Sequence, residues 1–79
     1  MRFAYILIKV ERGQVREVAK QLIELDEVSE VHSISGPYDL IVKVMVPTYD
    51  ALGEAIPDKV HKMSGIRETE TLIVFNVFK

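Results

Sequence analysis

The chain contains no cysteine, so neither a disulfide nor a thiolate metal site can hold it together. Its two histidines, His32 and His61, are too few to make a metal site by themselves. Lysine and arginine never cluster beyond a pair, and the formal net charge is −2. The basic stripe that would engage phosphates is therefore missing, which speaks against direct nucleic-acid binding. Nor is there a long apolar run. Met1-Arg2-Phe3 leads straight into a strand-like stretch that is too short, and too charged at Lys9 and Glu11, for a signal peptide or a membrane span. The expectation is a cytoplasmic protein with no membrane contact and no cofactor.

What is present is a heavy apolar load on a short chain. The 79 residues are 48% hydrophobic, and one domain of this size, residues 1–79, sits near the limit at which a single core holds a fold together. One face of a thin domain cannot bury that much apolar surface, so a self-associating surface is expected.

Phe3 to Val10 is rich in β-branched and aromatic residues and ends at the polar Glu11-Arg12-Gly13, so it reads as a first strand. Phe3, Tyr5 and Leu7 alternate with Ala4, Ile6, Ile8 and Val10, which implies that both faces are covered. From Gln14 to Leu25 the residues Val15, Val18, Ala19, Leu22 and Leu25 recur at helical spacing, with Arg16, Glu17, Lys20, Gln21 and Glu24 outward. A second strand runs from Val28 to Ser35 with imperfect alternation, and places His32 at a strand rim. Leu40 to Val46 is a third strand, apolar on both faces and stopped by Pro47. Thr48 suits a helix N-cap, and Leu52, Ala55, Ile56, Val60 and Met63 follow at helical spacing. Pro57 predicts a kink or a restart near Ile56, and Gly65 a left-handed cap. The last strand is expected to run from Ile66 or Arg67 to Phe78, long enough to pass beyond its own sheet and meet a neighbour.

Between the second and third strands lies Ser35-Gly36-Pro37-Tyr38-Asp39. Gly36 can take positive φ at no steric cost, and Pro37 fixes its own φ and drives Gly36 out of the helical region. A rigid corner needs no more than that, yet this one also carries a phenol, Tyr38, and a carboxylate, Asp39. Taken alone, Asp39 reads equally as an ordinary turn residue.

The order strand, helix, strand, corner, strand, helix, strand repeats one unit twice. Two right-handed units interleaved make an α+β, ferredoxin-like βαββαβ domain: a four-stranded antiparallel sheet with two helices on one face. The uncovered face then calls for the same face of a second chain, giving a two-fold dimer of the dimeric α/β-barrel kind.

The run Ile34-Ser35-Gly36-Pro37-Tyr38-Asp39-Leu40, followed by Gly65-Ile66-Arg67-Glu68-Thr69-Glu70-Thr71-Leu72-Ile73-Val74, resembles the effector domain of the Lrp/AsnC transcription regulators, also called the RAM domain. The likeness covers essentially the whole chain, and the two motifs at this separation are more specific together than either alone. It implies a domain that dimerises through its sheets, with dimers assembling into tetramers, octamers or decamers and free amino acids bound between dimers. It also implies a ligand site formed by Ser35, Gly36, Pro37, Tyr38 and Asp39 and completed by Thr69 and Thr71. Family members usually carry a helix-turn-helix and linker helix, whereas this chain starts at the first strand. It reads as a stand-alone form, and full-length regulators of the same family are implied as partners. The chemistry suits this: exposed backbone N–H groups at a Gly-containing corner can hold an α-carboxylate, and Asp39 an α-ammonium. Thr69 and Thr71 share a strand face. Pro37 departs from the polar or acidic residue common at that place and removes one backbone donor.

Three functions follow for comparison. The first is an amino-acid sensing module that modulates transcription through partner regulators; the second is a structural oligomer whose site is vestigial. The third, a small enzyme, lacks the matched nucleophile, acid, base or metal that catalysis needs. A scaffold that hosts many activities does not supply them.

Overall fold

The computed structural model describes residues 2–79; Met1, and the side chain of Ala55 that the helical pattern includes, lie outside the described set. The elements are β1 (Arg2–Val10), α1 (Val15–Ile23), β2 (Val28–Ser33), β3 (Leu40–Val46), α2 (Tyr49–Gly53), α3 (Ala55–His61) and β4 (Ile66–Ile73). The strands form one sheet in the order β2-β3-β1-β4, with every neighbouring pair antiparallel. This is the ferredoxin-like arrangement that the doubled unit predicts.

Alternation along the two central strands decides which side chains form the core. Ala4, Ile6, Ile8 and Val10 of β1, and Leu40, Val42, Val44 and Val46 of β3, are all buried. In the register these residues stand opposite one another, Ile6 against Val42 and Ile8 against Leu40, so they share the face that the helices cover. Val18 and Leu22 of α1, Leu52 of α2, and Ile56 and Val60 of α3 complete that core. Burying each of the larger members contributes about 1.5–3 kcal/mol. The opposite face holds Phe3, Tyr5 and Leu7 with Ile41 and Met45, all half-buried and apolar. Phe3 meets Tyr5 edge-on at 6.1 Å, and the Lys43 ammonium lies 4.7 Å from the centre of the Phe3 ring.

The imperfect pattern of β2 has a physical cause. Val28 stands opposite Val44, but the register shifts before Glu30 meets Lys43 and Val31 meets Val42. The extra residue, Ser29, lets Val28 and Val31 both face the core although three positions separate them. Glu30 and His32 fall on the open face as an exposed pair, 3.0 Å apart.

The interrupted second helix is two helices. The break lies at Glu54, whose φ of −123° and ψ of −64° leave the helical region, and α3 restarts at Ala55, one residue before the expected point. Pro57 then sits in the first turn of α3, where its missing N–H breaks no ladder bond.

Besides the second strand, which stops at Ser33 rather than Ser35, two expectations need correction. Gly65 has a φ of +92°, but it is not the residue that ends the helix: α3 stops at His61 with Lys62 as its cap. Gly65 instead turns the chain into β4, where its carbonyl accepts the Glu11 N–H at 2.7 Å. The last strand ends at Ile73, not Phe78. Val74 still donates its N–H to the Phe3 carbonyl at 3.1 Å, but β1 begins at Arg2. Among the described residues no strand runs beside residues 75–79, and a strand needs a neighbour. Phe75, Val77 and Phe78 are exposed there, Phe75 with its ring 6.2 Å from that of Tyr49.

Candidate ligand site at the β2–β3 corner

Ser35–Asp39 join β2 to β3, and three hydrogen bonds pin the ends of this corner. The Ile34 N–H donates to the Asp39 carbonyl, and the Asp39 N–H donates to the Ile8 carbonyl, each at 2.9 Å. The Val10 N–H donates to Asp39 Oδ2, also at 2.9 Å and partly buried. The Asp39 carboxylate thus takes the place of a backbone carbonyl where the β1–β3 ladder runs out. Gly36 has a φ of +119° with open space where a Cβ would stand. A side chain there would be opposed by the backbone conformation rather than by a clash.

Between these pins, the N–H groups of Ser35, Gly36 and Tyr38 have no partner in the chain among the described residues, and Pro37 has no N–H. Three donors without a partner among the described residues therefore lie on this one corner, which also carries Asp39, whose Oδ1 accepts no hydrogen bond among those residues. Such a set suits a zwitterion: N–H groups for a carboxylate, an anionic oxygen for an ammonium.

Tyr38 leaves the corner and donates its hydroxyl to Glu70 Oε2 of β4 at 2.8 Å. That bond, then desolvation and the negative charges of Glu70 and Glu68, raise the phenol above its ordinary value. Glu70 was not among the residues singled out from the sequence. Its only local signal is its place between two threonines, which says nothing about Tyr38, 32 positions away.

Thr69 and Thr71 stand opposite Ile8 and Ile6, so both point to the helix side of the sheet. There Thr69 Oγ1 lies 3.3 Å from His61 Nε2 of α3. The structure brings Ser35–Asp39 together as one loop and the two threonines together on one face of β4. Within a single chain β1 separates the two groups, and what touches the corner from β4 is Glu70. Among the described residues no cavity encloses the corner, and no group of three His, Asp or Glu side chains is placed to hold a metal ion. Among them, too, no helix is long and apolar enough to cross a membrane.

The family model described as the Lrp/AsnC ligand binding domain matches residues 3–79. The HTH-type transcriptional regulator FL11 of Pyrococcus furiosus is 38% identical over 76 residues, covering 96% of this chain and 50% of the regulator. The crystal structure of FFRP-DM1 superposes with a TM-score of 0.89 at 40% identity, covering 95% of this chain and 100% of that one. The Escherichia coli AsnC structure superposes with a TM-score of 0.90 at 30% identity, over 99% of this chain and 53% of AsnC. The chain thus spans about half the length of the regulators it matches and all of FFRP-DM1. With the motifs, the sheet order and the corner all in agreement, the chain belongs to the Lrp/AsnC ligand-binding domain family.

Proposed function

We propose that this domain binds a free amino acid at the corner formed by Ser35, Gly36, Pro37, Tyr38 and Asp39, and that it works as an oligomeric sensing module rather than an enzyme. The observation that carries the reading is that, among the described residues, the N–H groups of Ser35, Gly36 and Tyr38 have no partner, on the same corner as an Asp39 carboxylate with one oxygen uncommitted. The N–H groups take the α-carboxylate, and Asp39 Oδ1 takes the α-ammonium as a charge-assisted bond. Because the corner is open in a single chain, a second chain closes over the ligand, and Thr69 and Thr71 of that chain complete the site. Dimers form through the apolar sheet face of Phe3, Tyr5, Leu7, Ile41 and Met45 and associate further into tetramers, octamers or decamers. Binding alters that assembly in the cytoplasm, and full-length Lrp/AsnC regulators read the result. A Neisseria meningitidis regulator of the same fold forms a complex with L-Met; at 18% identity that likeness concerns the fold.

A second reading, a structural oligomer with a vestigial site, has one observation in its favour: the bond from Val10 already gives Asp39 a purely structural role. A thermal-shift screen against the common amino acids separates the two. A ligand at a hundred times its Kd stabilises by about 2.7 kcal/mol. For a domain of this size that raises Tm by about 10–20 °C. A screen in which no amino acid moves the transition leaves the structural reading.

A further inference from the structure

The donors assigned to the ligand sit on Ser35–Tyr38, yet the backbone bonds that pin the corner fall at its ends, on Ile34 and Asp39. Nothing within Ser35–Tyr38 is tied by a backbone bond among the described residues. The one side-chain tether from this segment, among those residues, is the Tyr38 hydroxyl on Glu70 Oε2. Its anchor is firm: Glu70 lies in mid-β4, opposite Leu7 of β1, with paired residues on either side.

We propose that Glu70 is a positioning residue for the ligand site. By accepting the Tyr38 hydroxyl it holds Tyr38, and with it the N–H groups of Gly36 and Tyr38, in the arrangement that receives a carboxylate. This rests on the amino-acid reading above and adds to it a residue outside Ser35–Asp39, Thr69 and Thr71. Pro37 restrains itself and Gly36, but Ser35 and Tyr38 keep their backbone freedom in a segment without a backbone bond, and a ligand would have to order them on binding. The tether orders them beforehand. Tyrosine suits the task because it spans the width of β1 with only two side-chain torsions to restrain. The raised phenol keeps its proton well past neutral pH, so the hydroxyl remains the donor and the carboxylate the acceptor. With its hydroxyl engaged, Tyr38 serves the ligand through its backbone rather than its side-chain oxygen.

The test uses Tyr38→Phe, Glu70→Ala, Glu70→Gln and the double variant Tyr38→Phe/Glu70→Ala in the full chain. Backbone amide relaxation is measured by NMR without ligand, and calorimetry with the amino acid that most stabilises the unmodified protein. In the unmodified protein the order parameters of Gly36 and Tyr38 are expected near 0.85, falling toward about 0.6 in Tyr38→Phe and Glu70→Ala. Affinity is expected to fall by about three- to tenfold, less than for a direct bond from a charged group to the ligand, because the tether is solvent-exposed and acts only through the order of the corner. The double variant should be no worse than either single one, because both remove the same tether. Glu70→Gln, which keeps an acceptor oxygen, should recover most of the order. Corner amides that stay equally ordered in all variants overturn the proposal, as does lost affinity with unchanged order. If no amino acid binds the unmodified protein, the functional reading fails by itself, and the order parameters still decide what Glu70 does.

Discussion

Val10 and Asp39 stand 29 positions apart in the chain, and the backbone N–H of one meets the carboxylate of the other at 2.9 Å. The bond closes the end of the β1–β3 ladder with a side chain, so one oxygen of the residue read as the ligand's anionic partner is occupied before any ligand arrives. The two oxygens of Asp39 thereby carry separable roles, and substitution can tell them apart.

Asp39→Asn keeps an acceptor for Val10 but removes the charge, so stability should change little. Amino-acid affinity should fall about ten- to hundredfold, since a bond to a charged group contributes roughly 1.5–3 kcal/mol. Asp39→Ala should in addition lose about 1–3 kcal/mol of folding stability, because the Val10 N–H is left without a partner. Calorimetry and urea unfolding measure the two effects. Unchanged affinity in Asp39→Asn would make Asp39 a turn residue only.

Gly65 and Gly13 form a matched pair. Both have left-handed φ, +92° and +78°, but a Cβ on Gly65 would lie 3.0 Å from Val18 Cγ2, whereas one on Gly13 would meet nothing within 4 Å. Gly13→Ala should cost about 1–2 kcal/mol, from backbone conformation alone. Gly65→Ala should cost about 1–3 kcal/mol more, because Val18 is fully buried and cannot move aside without disturbing the core. Equal unfolding midpoints for the two variants would contradict the packing argument.

The Lys59 ammonium, hydrogen-bonded to Glu27, holds that carboxyl below its ordinary value. A lowered carboxyl pKa stabilises the fold above the unfolded value, and the contribution is lost as pH falls through the folded one. The pair ties the entry to β2 to α3. Glu27→Gln should therefore cost about 0.2–1 kcal/mol at neutral pH and nothing in strong acid, where Glu27 is protonated in both states. Denaturant midpoints across the acid range check this. A cost that persists at low pH would mean that the side chain acts by packing and not by charge.

The open sheet face predicts that the protein is not a monomer at micromolar concentration. Leu7→Glu places a charge at the centre of that face without touching the helix-side core, and should shift the population toward single chains. Light scattering reads both. A single species of 9.0 kDa for the unmodified protein would remove the dimer argument.

What was legible in the order of residues is what local chemistry encodes. The period-two runs placed β1 and set β3 at Leu40–Val46, where the structure has it. The three-to-four spacing placed α1, and Gly36 with Pro37 marked the corner. These features rest on side-chain volume, branching and backbone freedom within a few residues, which is what a linear chain displays. Tertiary structure decided the rest. The end of β4 at Ile73, opposite Ala4 and short of the start of β1 at Arg2, is set by where the ladder pairing stops, which the β-forming residues up to Phe78 do not show. The outward turn of His32 and the inward turn of both Val28 and Val31 depend on a bulge set by the register against β3. The bonds that shape the corner, Val10 to Asp39 and Tyr38 to Glu70, join residues 29 and 32 positions apart. No local preference encodes such pairs, because they exist only once the sheet order β2-β3-β1-β4 has brought the strands side by side.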